Sequence, residues 1–369
     1  MKVLGILNEK LIDKELVQNE STVNIAGAHV CIGTVDVDEP YFDEDDDRNK
    51  DFVLLKVLGF SCNYRDKAII LKSALQMSDI ASETMPPITF FGSDFVACVV
   101  KKGKNVSKFK VGDRVIPDCE YPDMPSPGVA SGVVTNEASK GWLRINQYKL
   151  MKISDDMSNE VAAGFSIGAQ TSQSMVRRTR IKKGEKALVL SGKANTSLFI
   201  IKALLRKGID TTVVSTSKWN EKQLSFVSPA RVKYISRDSK DWYKNFNGEK
   251  YDVIFDPFYD LHIYNAVRLL KFYGRYITCG FKNQHDYFRE KTDKNYSLDL
   301  HNILLKTMIN NISLIGNCIG TTEDLRRAVT NTNNKDVAID SVYNLNKSDK
   351  FLDRTYNKFD RFGKDILLY

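Results

Sequence analysis

Two textures of apolar residues divide the chain. In the first half they come in short runs broken by turn residues, such as Val53-Leu54-Leu55-Lys56-Val57, Phe95-Val96-Ala97-Cys98-Val99-Val100 and Asp113-Arg114-Val115-Ile116-Pro117. A series of this kind predicts the strands of an irregular β domain. The acidic run Asp43-Glu44-Asp45-Asp46-Asp47 stands just before one of them. A self-repelling block is best placed in a solvated hairpin tip, and nothing beside it adds the rigid geometry of a metal or basic-partner site. From about Asn159 helix and strand alternate. Glu160 to Arg178 reads as helix, Ala187 to Leu190 as a short buried strand, and Leu198 to Lys207 as a helix stopped by Gly208. Strands follow at Thr211–Ser215, Tyr251–Asp256 and Gly274–Gly280, with a helix through Ala266–Leu270. Alternation at this pitch predicts βαβ units and a parallel sheet.

Composition narrows the class. The 369 residues carry 54 Lys+Arg against 46 Asp+Glu, a formal charge of +8, with 42% hydrophobic and 27% charged residues. This excludes a disordered chain and a polybasic nucleic-acid arm, and the length favours two domains. No apolar run approaches the roughly 20 residues that span a bilayer. The opening Met1-Lys2-Val3-Leu4-Gly5 passes into Asn8-Glu9-Lys10 without a signal-peptide core, so a cytoplasmic protein without membrane or nucleic-acid partners is expected. Cys31, Cys62, Cys98, Cys119, Cys279 and Cys318 are scattered without a C-x-x-C pair, which argues for a reducing compartment.

The strand at 187–190 runs into Ser191-Gly192-Lys193-Ala194-Asn195-Thr196-Ser197 and then a helix. This is where a dinucleotide-binding G-x-G-x-x-G would stand, and the chain has G-x-A-x-x-S. The first glycine is kept, Ala194 replaces the second and Ser197 the third. Such a turn must be tight, let the backbone approach a pyrophosphate, and set it on the helix N-terminus. The larger side chains push a diphosphate outward, while Asn195, Thr196 and Ser197 can offer hydrogen bonds in return; a purely structural βα turn is the plain alternative. The next strand ends in Ser215-Thr216-Ser217-Lys218, without the carboxylate that would bind the ribose 2′-hydroxyl of NAD. Ser217 and Lys218 suit a 2′-phosphate, so NADPH is the expected cofactor; a solvated turn is the alternative.

At these residues the chain resembles the medium-chain dehydrogenase/reductase superfamily, in its zinc-independent quinone-oxidoreductase and enoyl-reductase branch. The matching segments are Val53–Gly59, Asn63-Tyr64-Arg65-Asp66, Gly92-Ser93-Asp94, Gly103 with Val106–Val115 ending in V-G-D-R-V, Ala162–Phe165 with Gly168 and Thr171, Asp252–Asp256 and Gly274–Gly280. The resemblance implies an α/β protein: a GroES-like irregular β catalytic domain over 1–156 and 320–369, and a Rossmann doubly wound parallel-sheet domain over 157–319, with the active site in the cleft between them. It also implies a homodimer through the edge near Ile312–Gly316. Where the zinc-dependent branch has a cysteine and a histidine, this chain has Asn63 and Ser93, and the structural-zinc region offers only Cys119. No metal is therefore expected.

What the resemblance implies for chemistry is NADPH-dependent reduction of an activated C=C bond. Tyr64 is the candidate proton donor, with a packed tyrosine as the alternative. Asn63 resembles the residue facing the nicotinamide, and Arg65 with Asp66 makes an ion pair holding the segment. Thr171 is expected near the nicotinamide, with Tyr234, Cys279 and Gly280 also lining the cofactor beside Gly192, Ala194, Asn195, Thr196, Ser197, Ser217 and Lys218. The basic cluster Arg177, Arg178, Arg180, Lys182 and Lys183 would attract a thioester carrier or acidic peptide, or is a solvated helix end. His29, His262, His285 and His301 match no motif. Substrates in view are enones, enoyl thioesters and dehydroamino-acid peptides, as in natural-product tailoring. A quinone or ketone reductase, or a non-catalytic scaffold with an eroded loop, is the alternative.

Overall fold

The run at Val53 forms the centre of the first unit because it is apolar on both sides. In the computed structural model, which describes residues 1–78, 84, 86–123, 125–236, 239–282 and 300–369, β4 (Phe52–Ser61) buries Val53, Leu54, Leu55, Val57 and Phe60. It pairs antiparallel with β6 (Asp94–Lys102), β8 (Trp142–Asn146) and the C-terminal β17 (Lys364–Leu368). Among the described residues the sheet is completed by β7 (Arg114–Pro117), β9 (Leu150–Lys152) and β16 (Ile339–Tyr343). A second sheet orders β2 (Gln18–Ile25), β3 (Ala28–Asp36), β1 (Lys2–Leu7) and β5 (Ile88–Thr89). Helices α1 (Tyr64–Ser78), α2 (Asn159–Ala163) and α9 (Ser348–Asn357) belong to the same unit.

The acidic run is not a hairpin tip, since β3 and β4 lie in different sheets. It crosses from one sheet to the other, with Asp46 paired to Arg48 and Asp47 to Lys104. Around Cys119, whose thiol is pushed up to about 12 by burial, Lys149 Nζ donates to the carbonyls of Ala130 (3.0 Å) and Gly132 (2.5 Å). An ammonium ties this loop down by its backbone oxygens.

The second unit is a parallel sheet. Among the described residues six strands run in the order β12 (Arg231–Tyr234), β11 (Asp210–Ser215), β10 (Lys186–Val189), β13 (Tyr251–Asp256), β14 (Leu270–Thr278), β15 (Ser313–Gly316). Counted along the chain this is 3-2-1-4-5-6, the doubly wound dinucleotide-fold order, which reverses between β10 and β13. The continuous apolar runs follow from burial on both faces. Ala187, Val189, Val253 and Phe255 pack into one core with α3 (Ser166–Thr179) and α4 (Asn195–Arg206), while Leu188, Leu190, Ile254 and Tyr276 pack into the other.

Three sequence expectations shift. The helix over 160–178 is two helices, α2 and α3, broken at Gly164, where a Cβ would come 2.9 Å from Ile366 Cδ1 and 3.3 Å from Lys364 Cβ. The helix α6 (Tyr259–Ala266) ends in a tight turn at 267–269, and Leu270 already begins β14. The second unit covers Gly168–Ala338 and Phe359–Gly363 rather than 157–319. It keeps α8 (Thr322–Asn331) because Arg177 grips the buried Asp324 with Nε and Nη2 at 2.8 and 2.7 Å. It keeps 359–363 because Phe362 stacks edge-on against Trp219 and Phe226.

Candidate functional site

The retained glycine of the phosphate turn is demanded by packing. Gly192 donates its N–H to Val214 O at 2.8 Å, and a Cβ there would lie 2.3 Å from Val213 Cγ1 and 3.1 Å from Trp219. Ser191 before it is held at φ 50°, a left-handed conformation that costs a side-chain-bearing residue energy. The turn closes with Ala194 N–H on Ser191 O at 2.8 Å. Ala194 is the N-cap of α4 and makes no side-chain cap hydrogen bond, which leaves the helix N-terminus in the form that takes an anion. Ser197 is fully buried and spends its hydroxyl on Leu190 O at 2.8 Å. Asn195 packs against α3, since a Cβ on Gly168 would meet its Nδ2 at 2.5 Å. Of the loop side chains expected to compensate for the lost glycines, Ser197 is thus committed to its own strand, and Thr196 stays half-buried in the first turn of α4.

At the end of β11 the Ser215 hydroxyl donates to Ser217 O at 2.9 Å and accepts from Ser217 N–H at 3.3 Å. Lys218 is exposed, and its carbonyl accepts from Lys193 Nζ at 2.8 Å. Two lysines therefore meet where the sequence placed one; Lys193 is the x of G-x-A, a position that carries no motif. Tyr234, at the end of β12, accepts Trp219 N–H on its hydroxyl at 3.3 Å. Thr171 is buried on α3.

Across the switch point stands His262, which no motif marked, among residues of the expected segments. The Ser191 hydroxyl and Nε2 of the buried His262 share a hydrogen bond of 2.9 Å. Asp256, fully buried at the end of β13, accepts from Tyr276 Oη at 2.5 Å and from Phe258 N–H at 2.8 Å. Burial pushes its carboxyl above the ordinary range, against the pull of His262 and of the Tyr276 hydrogen bond. Gly280 has no room for a side chain, its Cβ position lying 2.9 Å from Pro257 O, and its carbonyl accepts Tyr259 N–H at 3.2 Å. The Cys279 thiol is pushed up to about 12, first by burial and then by Asp256, so it is neutral at pH 7. His29 stands on β3 and His301 in the helix over 300–309, and His285 lies outside the described residues.

In the first unit the Asn63–Asp66 segment closes on itself. Asp66 is fully buried and accepts Asn63 N–H (2.7 Å), Ser93 Oγ–H (2.6 Å) and Arg65 Nη1 (3.2 Å). Burial raises its pKa, and the Ser93 and Asn63 hydrogen bonds, Arg65 and Lys364 pull it back. The expected Arg65–Asp66 pair is present, and Arg65 also reaches Asn136 at 2.7 Å. Asn63 Nδ2 donates to Ser93 Oγ (3.0 Å) and Asp94 Oδ2 (2.9 Å). Lys364, brought in on β17, donates to Asn63 Oδ1 and Cys62 O at 2.8 Å each and to Asp94 Oδ2 at 3.3 Å. Tyr64 follows as the first residue of α1, half-buried, with Lys67 Nζ 5.8 Å from its ring. Among the described residues the cluster of three or more potential metal-ligating side chains is Glu9, Glu20 and Cys31, none of which belongs to this segment.

Residues 49–141 match the alcohol dehydrogenase GroES-like domain family. A stretch of 128 residues, 34% of this chain, is 32% identical to the highly reducing polyketide synthase tazB of Aspergillus terreus, and covers 4% of that protein. The chain thus spans a small fraction of the length of that relative. Among solved structures, a putative alcohol dehydrogenase from Sinorhizobium meliloti 1021 superposes with a TM-score of 0.67 at 16% identity, covering 100% of this chain and 99% of that one. The 2-octenoyl-CoA carboxylase reductase CinF from a Streptomyces species gives 0.69 at 17% identity, covering 100% and 87%. The first unit carries the GroES-like match and the second a doubly wound parallel sheet, so the chain has the fold of the dehydrogenase and reductase structures it superposes on.

Proposed function

We propose that the protein is an NADPH-dependent reductase of an activated C=C bond that works without zinc. The observation that carries this reading is the donor set around Asn63. An amide, a hydroxyl and a carboxylate already bonded to an ammonium do not fit zinc, which takes thiolate and imidazole with an occasional carboxylate. With no Lewis acid to polarise an isolated carbonyl, the chemistry that remains favourable is hydride delivery to a conjugated acceptor, whose enolate needs a hydrogen bond and a proton. The names of two similar proteins, a highly reducing polyketide synthase and a 2-octenoyl-CoA carboxylase reductase, support an enoyl thioester as the substrate class. Enones and dehydroamino-acid peptides share its electronics.

The turn around Gly192 fits a dinucleotide. The uncapped α4 N-terminus would hold the pyrophosphate through the amides of Asn195, Thr196 and Ser197, and Lys193, Ser217 and Lys218 would hold the 2′-phosphate. Thr171, Tyr234, Cys279 and Gly280 would line the remainder, and Asn63 would face the nicotinamide. When bound, the cofactor supplies a hydride to the β-carbon and is oxidised to NADP+. Tyr64 would hydrogen-bond the substrate carbonyl or give its phenolic proton to the α-carbon, the proton then being replaced from solvent. A thermal shift with NADPH and NADH tests the cofactor: a rise selective for NADPH is expected. No shift with either supports the scaffold reading, which Ala194 and the committed Ser197 favour.

Lys218→Ala is expected to weaken NADPH about tenfold while leaving NADH within twofold, read as the ratio of the two dissociation constants; an unchanged ratio removes the 2′-phosphate assignment. We also propose a homodimer. β15 is an edge strand with Leu314 exposed, and α7 (Leu300–Ile309), which precedes it in the chain, exposes Leu304, Met308 and Ile309, apolar surface that calls for cover. Leu314→Lys is expected to turn a sedimenting dimer into monomer, and a monomeric parent protein would overturn the proposal. No helix among the described residues is long and apolar enough to cross a membrane. A cytoplasmic setting is proposed on the scattered cysteines.

A further inference from the structure

The ammonium of Lys364 sits in a cage of oxygens drawn from distant parts of the chain. Its three protons meet three acceptors: Cys62 O and Asn63 Oδ1 at 2.8 Å and Asp94 Oδ2 at 3.3 Å. The side chain is 4% exposed and that of Asp94 fully buried. Asp94 is itself saturated, Oδ1 taking Ile167 N–H at 2.9 Å and Oδ2 taking Asn63 Nδ2. The charges within reach balance, with Asp66 and Asp94 against Lys364 and Arg65. A buried ammonium is retained only where such a full set of partners replaces water.

Lys364 binds the two residues that precede Tyr64, and the amide it fixes is held on its other side by Ser93 and Asp94. With Oδ1 turned to the ammonium and Nδ2 to two acceptors, Asn63 has one orientation only. Its N–H is fastened to Asp66, so the backbone entering α1 is held at both ends of the side chain. We infer that Lys364 is a positioning residue: a tethered cation, occupying a carbonyl, amide and carboxylate site, that sets Asn63 and the first residue of α1, Tyr64. The inference rests on the role proposed above for Tyr64, and extends the site to the last strand of the chain.

The test removes the tether and returns the cation. Lys364→Ala deletes the equivalent of a propylammonium ion, which can be added back. The variant is expected to melt on the order of 5 °C lower and to reduce an enone about 100-fold more slowly, since small misplacements of a reacting group carry penalties of this size. NADPH affinity should stay within twofold. Propylammonium should raise both the melting point and the rate of the variant, saturably, and leave the parent protein unchanged. An activity-free readout accompanies these: with tyrosine labelled at 13Cζ, the Tyr64 resonance, assigned through Tyr64→Phe, should move in the variant and return with propylammonium. A Tyr64 signal and rate untouched by the substitution would overturn the positioning role. A moved signal that propylammonium does not restore would overturn the cation site. If the alanine variant fails to fold, Lys364→Met keeps the stem volume, and its Tyr64 resonance decides alone. If the parent protein reduces no alkene, the reductase reading fails, and the resonance still judges Lys364.

Discussion

Replacing Tyr64 by Phe is expected to lower kcat for alkene reduction by about 10²- to 10⁴-fold, the usual span for loss of a positioned proton donor, with NADPH affinity unchanged. The reasoning lies in what the neighbouring groups are already doing. Asn63 has its amide engaged by Lys364, Ser93 and Asp94, Asp66 is surrounded by donors, and Ser93 Oγ donates to Asp66. Each of these would have to break a buried hydrogen bond to serve a substrate, at a cost of about 1–3 kcal/mol. Tyr64, half-buried at the start of α1, brings to this segment a phenol, an acid able to protonate an enolate carbon. Hydride and proton should arrive at separate carbons, so stereospecific deuterium from labelled NADPH ought to stay at the β-carbon in the variant while solvent deuterium at the α-carbon becomes scrambled. A Phe variant with parental turnover would remove Tyr64 from the reaction and leave it a packing residue.

The second unit was legible because its strands are buried on both faces: a four-residue apolar run followed by a turn and an amphipathic helix has few other readings, and Val189 and Leu190 do face opposite cores. What escaped was whatever depends on a partner distant in the chain. The glycine at the break, Gly164, faces Lys364 and Ile366 with no room for a Cβ, two hundred residues on, and within a sequence window Glu160 to Arg178 is simply helical. Arg177 read as part of a solvated basic cluster until Asp324 supplied a bidentate acceptor and drew α8 into the second unit. Asn63 and Asp66 were found through their neighbours in the chain, whereas Lys364, which holds them, stands in an unremarked strand. Ser191 and His262 form a pair only because β10 and β13 are adjacent. A motif records spacing along one element; a contact across a sheet has no spacing to record.

Gly192→Ala is expected to abolish nucleotide binding and to lower stability by about 1–3 kcal/mol, the range for forcing a methyl into a filled space. A Cβ at this position would stand 2.3 Å from Val213 Cγ1 and 3.1 Å from the carbonyl oxygen of Val214. The valine methyl can rotate away, but the carbonyl is the acceptor of Gly192 N–H itself, so relief requires the turn to lift off β11. Lifting it moves Lys193 from the Lys218 carbonyl and tilts the first turn of α4, on which a pyrophosphate would sit. The neighbouring substitution has the opposite sign. Ala194 is an N-cap in extended conformation, φ −68° and ψ 143°, which glycine adopts freely; Ala194→Gly removes a methyl from the approach to the helix N-terminus. This variant should bind NADPH more tightly, by about three- to tenfold, at a small cost in stability from the freer unfolded chain. Calorimetric titration of the two variants separates the readings of this loop. Tighter binding by Ala194→Gly with loss by Gly192→Ala identifies a dinucleotide turn whose affinity is limited by one methyl group. Loss of stability by Gly192→Ala with no nucleotide binding in the parent or in Ala194→Gly identifies a turn kept only for packing.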